Sequence, residues 1–189
     1  MKKAGRTIIM AGCAGSARAR AILESRRGEI CGRYPVRYLE DGERMLTADI
    51  TLTGEFDKAS LSKLICDVTV PESGSEDEKP VPLLTECGKH GVFEGLWKLG
   101  CMADCGISVE QYDIPVLQIA IELCDFADEN VYEADSAGGF LFITENAGQA
   151  LQILENEGIR ASVIGYTTDN NDRTVRNGEN VRFLNIFRT

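Results

Sequence analysis

The chain has 189 residues, 43% of them hydrophobic, enough for one domain with a sizeable core and no need of disulfide or metal staples. Its formal charge is −10 and its pI about 4.7, the wrong sign for nucleic acid or an anionic membrane surface, so neither is expected as a partner. No window approaches a membrane span, and the cysteines follow no disulfide-framework spacing, which points to free thiols in a reducing cytoplasm.

The opening MKKAGRTIIM reads as a natural start, and its apolar run is too short for a signal sequence. RTIIMAG reads as a buried strand, and CAGSARARAILES as a turn into a helix with Ser16 as N-cap ahead of Ala17. Gly12 and Gly15 invite a phosphate-loop reading, but that loop needs Lys-Ser/Thr after its last glycine and Ser16-Ala17 stands there; the pattern is a strand–turn–helix joint. A short helix is expected over Val36 to Leu46, weakened by Gly42. LSKLICDVTV reads as helix running into strand, and residues 71–82 as a polar, proline-bounded surface loop, with an acidic docking loop as the alternative.

The second half has clearer periodicity. In DIPVLQIAIELCDFAD, Pro115 suits the first turn of a helix, and Gln118, Glu122 and Asp125 form one narrow polar stripe on an otherwise apolar cylinder. AGGFLFIT is a strand entered through two glycines. NAGQALQILENEGI is a helix with Ala147, Ala150, Leu151 and Leu154 on one face and Gly158 as its stop. ASVIGY is a strand, and RTVRNGENVRF a hairpin with Asn177-Gly178 as a type I′ turn. About five strands and five helices result, an α+β domain with a mixed β-sheet and helices packed on it, one domain over residues 1–189.

The stretch CGKHGVFEGLWKLGC, Cys87 to Cys101, holds His90, the sole histidine. Cys87-x2-His90 and Cys101-x3-Cys105 supply four soft ligands, but an unbroken helix between them would hold the pairs roughly 15 Å apart, so no metal site is expected. A Cys87–His90 nucleophilic pair lacks an orienting acid and an oxyanion site. It would require an activated thiol at Cys87.

GVFEGLW (91–97), DIPVLQIAIELCDF (113–126), DSAGGFLFIT (135–144), ILENEGIRASVIGYTT (153–168) and NDRTVRNGENVRFL (171–184) occur in an order and spacing that resemble the C-terminal domain of the AIR synthase-related (PurM-like) superfamily. The nearest branch is that of the hydrogenase maturation factor HypE. The resemblance extends over most of residues 6–187 and is poorest between about 40 and 85. It implies an α/β/α arrangement and a half of a two-domain, ATP-using enzyme; the N-terminal half of such proteins supplies the acidic magnesium ligands and much of the phosphate site.

In relatives an Asp-(Val/Pro)-Thr-(Glu/Arg)-Gly-Gly turn opens the helix at GVFEGLW. Glu86, Cys87, Gly88, Lys89, His90 and Gly91 stand there in this chain, so one glycine is retained and a side chain sits where bare backbone approaches phosphate. The resemblance makes Lys89, His90 and Gly91 candidates for nucleotide contact, with Ser136, Gly138 and Gly139 as the small-residue turn entering the family's cleft strand. Those glycines equally suit close helix–strand packing. The expected function is a stand-alone, non-catalytic binding module, either a homodimer or joined to a separate N-terminal-type partner. The alternative is a subunit of a split ATP-dependent enzyme, of hydrogenase-maturation or AIR-synthase type, that completes an ATP/Mg site with that partner. In both cases the lone chain is expected to leave an apolar face uncovered.

Overall fold

The computed structural model describes residues 4–48, 57–69 and 82–184. The expected polar loop at 71–82 therefore lies outside the described residues, save for Pro82. Strand β1 (Thr7–Ala11) leads into helices α1 (Ser16–Ser25), α2 (Arg27–Arg33) and α3 (Val36–Thr47). Helix α4 (Lys58–Ile65), strand β2 (Leu84–Gly88), helix α5 (Gly91–Ala103) and strand β3 (Gly106–Glu110) follow. A single 3-10 turn (Gln111–Asp113) precedes helix α6 (Gln118–Phe126). The chain then runs through β4 (Ser136–Thr144), α7 (Ala147–Asn156), β5 (Ala161–Thr168), β6 (Arg173–Asn177) and β7 (Asn180–Phe183).

The strands make one seven-stranded mixed sheet in the order β2-β4-β1-β5-β3-β6-β7. Neighbours are antiparallel except β3 and β6, which are parallel. Alternate residues of each strand point to opposite faces. Ile8, Met10, Ile107, Val109, Leu141 and Val175 therefore meet α5 on one face. Ile9, Ala11, Leu84, Phe140 and Phe142 meet α4 and α7 on the other. Helices α1, α2, α3 and α6 close a third apolar cluster around Ile22, Leu39, Ile119 and Leu123. Strand β1 is apolar from Ile8 to Ala11 because both its faces are covered there.

The α+β, mixed-sheet expectation holds, but the count rises to seven strands and seven helices among the described residues. LTECG, GISVE and RGEICGR were too short or too mixed to register as elements. Helix α1 begins at Ser16, which is fully buried, and its N-cap is Gly15 at φ 66°, with no side-chain cap; the Ser16 hydroxyl faces the interior instead. Pro115 lies three residues ahead of α6, where its carbonyl accepts from Ala14 N at 2.8 Å and so ties the loop to the end of β1. Asn177 pairs with Asn180, so the hairpin loop is Gly178-Glu179, one residue later than expected. Among the described non-glycine residues only Asp104 and Asp128 have positive φ, so Glu179 does not; this excludes type I′, which needs positive φ at both central positions. The polar stripe of α6 is as expected, with Gln118 Nε2 donating to Glu122 Oε1 at 3.0 Å.

Gly42 keeps its propensity cost within α3 but has a packing role. It lets the helix approach α6: a Cβ there would lie 2.5 Å from Ile119 Cγ1. Gly42→Leu is therefore expected to destabilise the fold by about 1–3 kcal/mol through overpacking, despite leucine's better helix propensity. Urea denaturation measures this, and unchanged stability would contradict the close packing.

Candidate functional site

The candidate residues lie at the starts of two elements. Helix α5 opens at Gly91, whose φ is 72°. A Cβ at this position would collide with the carbonyls of Tyr132 and Ala134, so only glycine lets the 130–135 segment close over the helix start. Val92 N donates to Tyr132 O at 2.9 Å, and Phe93 N approaches the same carbonyl at 3.4 Å. These are orphan donors of the first helical turn, the groups that would otherwise face an anion. The Phe93 and Tyr132 rings stack at 5.6 Å above this contact.

Strand β4 opens at Ser136. Its fully buried hydroxyl accepts from Gly15 N at 2.8 Å and donates to Ala134 O at 2.9 Å, so it links the start of α1 to the same segment. Ala137 N is held by Asp135 Oδ1 at 3.0 Å, and Gly138 N by Glu86 Oε1 at 3.2 Å. A carboxylate thus occupies the amide at the glycine turn. A Cβ at Gly139 would sit 3.5 Å from Cys87 Sγ and 3.0 Å from Ser136 O, so this glycine serves close packing between β4 and β2. The structure brings Gly91, Ser136, Gly138 and Gly139 around the ends of β2 and β4, while Lys89 and His90 are exposed on the connecting turn.

The 129–136 segment also binds α1. Arg18 N donates to Asp135 O at 3.0 Å, and the Arg18 guanidinium grips Glu129 through Nε–Oε2 at 2.7 Å and Nη2–Oε1 at 2.5 Å. That bond to Arg18 holds the Glu129 carboxyl below the usual carboxylate range. Tyr132, Glu129, Asp135 and Arg18 gave no signal in the sequence. The Tyr132 contact is made by a backbone carbonyl, and only Asn130, whose Oδ1 accepts from Tyr132 N at 3.1 Å, marks the turn that presents it.

Among the described residues, no group of three or more His, Cys, Asp or Glu side chains is placed to hold a metal ion. Helix α5 runs unbroken past Gly100, so Cys87 and His90 stand at one end and Cys101 and Cys105 at the other. Cys87 is fully buried. Burial first, and then the nearby Glu86 carboxylate, push its thiol up, the opposite of an activated nucleophile.

No protein-family model matches the sequence, and no curated protein matches it. Solved structures do match in fold. The HypE–HypF complex gives a TM-score of 0.62 at 19% identity over 97% of this chain and 53% of that one. E. coli HypE gives 0.67 at 16% identity over 96% and 50%. Thiamine-monophosphate kinase from Stenotrophomonas maltophilia K279a gives 0.62 at 14% identity over 90% and 50%. HypE has also been solved in complex with ATP.

Two predictions follow the local chemistry. The pair's contribution to stability is present above the ordinary glutamate pKa and is lost as pH falls through the lowered folded value of Glu129. Glu129→Gln is thus expected to lower unfolding stability at neutral pH, with the gap from wild type closing under acid; a gap independent of pH would contradict the pairing. In thiol labelling at neutral pH, exposed Cys31, Cys66 and Cys101 are expected to react promptly and buried Cys87 only on unfolding. Early modification of Cys87 would restore the nucleophile reading. The chain spans about half the length of the solved structures it matches, and its fold is that of the C-terminal half of the PurM-like, AIR synthase-related proteins.

Proposed function

We propose that this chain is a single-domain interaction module of AIR synthase-related fold, without catalysis of its own. The carrying observation is that the amides suited to cradle phosphate are engaged by protein acceptors: Val92 and Phe93 by Tyr132 O, and Gly138 by Glu86. A triphosphate would have to displace a backbone carbonyl and a carboxylate of its own charge sign, each exchange costing a hydrogen bond already made. These engaged amides are what argues against the lone chain cradling a nucleotide phosphate.

A module that binds needs a face to bind with. The described surface carries exposed Tyr166, Val181 and Phe183 on the half of the sheet that neither α4 nor α7 covers. The partner is a second copy or a separately encoded N-terminal-type domain, in a reducing cytoplasm of the kind that suits exposed cysteines such as Cys31, Cys66 and Cys101. HypE, solved with HypF, is a precedent for partner binding on this fold.

A second reading is favoured by one observation: the chain spans half of relatives that include an ATP-bound protein. In it, exposed Lys89 and His90 beside Gly91 complete an ATP/Mg site once an N-terminal-type partner supplies the acidic half. Calorimetric titration with magnesium-ATP, with Trp97 fluorescence in parallel, separates the two. The module reading predicts no saturable binding up to millimolar nucleotide. Saturable binding by the lone chain, lost in Gly138→Val, would overturn it.

A further inference from the structure

Among the described residues no helix covers one half of the sheet, and its pattern identifies what docks there. Register places Tyr166 of β5, Ser108 of β3, Thr174 of β6 and Phe183 of β7 side by side across four strands. Paired residues share a face, and this one is opposite α5, since Ile107, Val109 and Val175 point the other way into the core. The row therefore reads aromatic, hydroxyl, hydroxyl, aromatic, with Tyr166 54% and Phe183 67% exposed. One step along the strands, Glu110 of β3 pairs with Arg176 of β6, joined at 3.1 Å and both partly exposed.

This row is its own mirror image about the line between β3 and β6. We infer that a second copy of this chain docks on it face to face, about a two-fold axis parallel to β3 and β6. That operation sets Tyr166 against Phe183 of the second copy, Ser108 against Thr174, and Glu110 against Arg176, each twice over, as an isologous contact requires. Charge favours the same occupant. Two chains of net charge −10 repel, and this face balances its own carboxylate with its own guanidinium while pairing both across the axis.

The contact is small. Four strands at about 4.8 Å spacing present less than the roughly 800 Å² per partner of a stable interface, so dissociation in about the micromolar range is expected. The inference rests on the reading of the domain as an interaction module.

Sedimentation velocity on the full chain between about 1 and 200 µM tests it. Wild type is expected to pass from monomer to dimer. Glu110→Arg and Arg176→Glu are each expected to weaken the dimer at least about tenfold, because each sets like charges across the axis. An equimolar mixture of the two variants is expected to recover dimer, since every facing pair is then opposite in sign. Phe183→Asp should also dissociate it, with far-UV circular dichroism unchanged. Wild-type monomer throughout, a dimer indifferent to the swaps, or no recovery on mixing overturns the two-fold. Sedimentation and nucleotide titration fail separately: a monomer that ignores nucleotide defeats the two-fold alone, and a dimer that binds ATP defeats the module reading alone.

Discussion

The carbonyl of Tyr132 is the hinge of the arrangement. A helix start must place its first amides somewhere, and α5 places Val92 and Phe93 on this oxygen. The contact exists only because Gly91 has no side chain at φ 72° beneath the loop. From the same segment, Ser136 reaches Gly15, Asp135 reaches the backbone of Arg18, and Glu129 takes its guanidinium. Residues 129–136 thereby join α1, α5 and β4 in one hydrogen-bonded knot. This chain turns those donors on itself.

That self-satisfaction links the altered glycine turn to the functional reading. The Glu86 carboxylate reaches across to accept from Gly138 N. An amide that already donates to an internal carboxylate has little left to offer an external anion, and the carboxylate itself repels one. Lys89 and His90 stand nearby on an exposed turn. The other unfinished feature is the open sheet half. Its exposed Tyr166 and Phe183 are the feature on which the proposed docking face rests.

Much of the fold could be read from the sequence, for identifiable reasons. Strand β1 shows a continuous apolar run, helices α6 and α7 apolar periods, and β4 an apolar run after its glycines, so burial alone marks them. The short strands β2 and β3 escaped because five residues of mixed polarity carry no period. Pro115 misled because the usual place of proline in a first turn is only a preference; here its carbonyl was needed by Ala14. The hairpin was found, but its turn slipped by one residue because register, not the Asn-Gly pair, sets which residues lie in the loop. The candidate site was half legible. Side-chain identities showed Gly91, Ser136 and Gly138, but not the acceptors around them: the Tyr132 carbonyl for Val92 and Phe93, the Ala134 carbonyl for the Ser136 hydroxyl, and Glu86 for the Gly138 amide.

The most direct measurement is amide hydrogen exchange by NMR at Val92, Phe93 and Gly138, with and without magnesium-ATP. If their donors are held by Tyr132 and Glu86, these amides exchange slowly in the free protein, and neither their rates nor their shifts change with nucleotide. Fast exchange in the free protein, or shifts that saturate as nucleotide is added, would mean that the turns still present open donors to phosphate and would contradict the account.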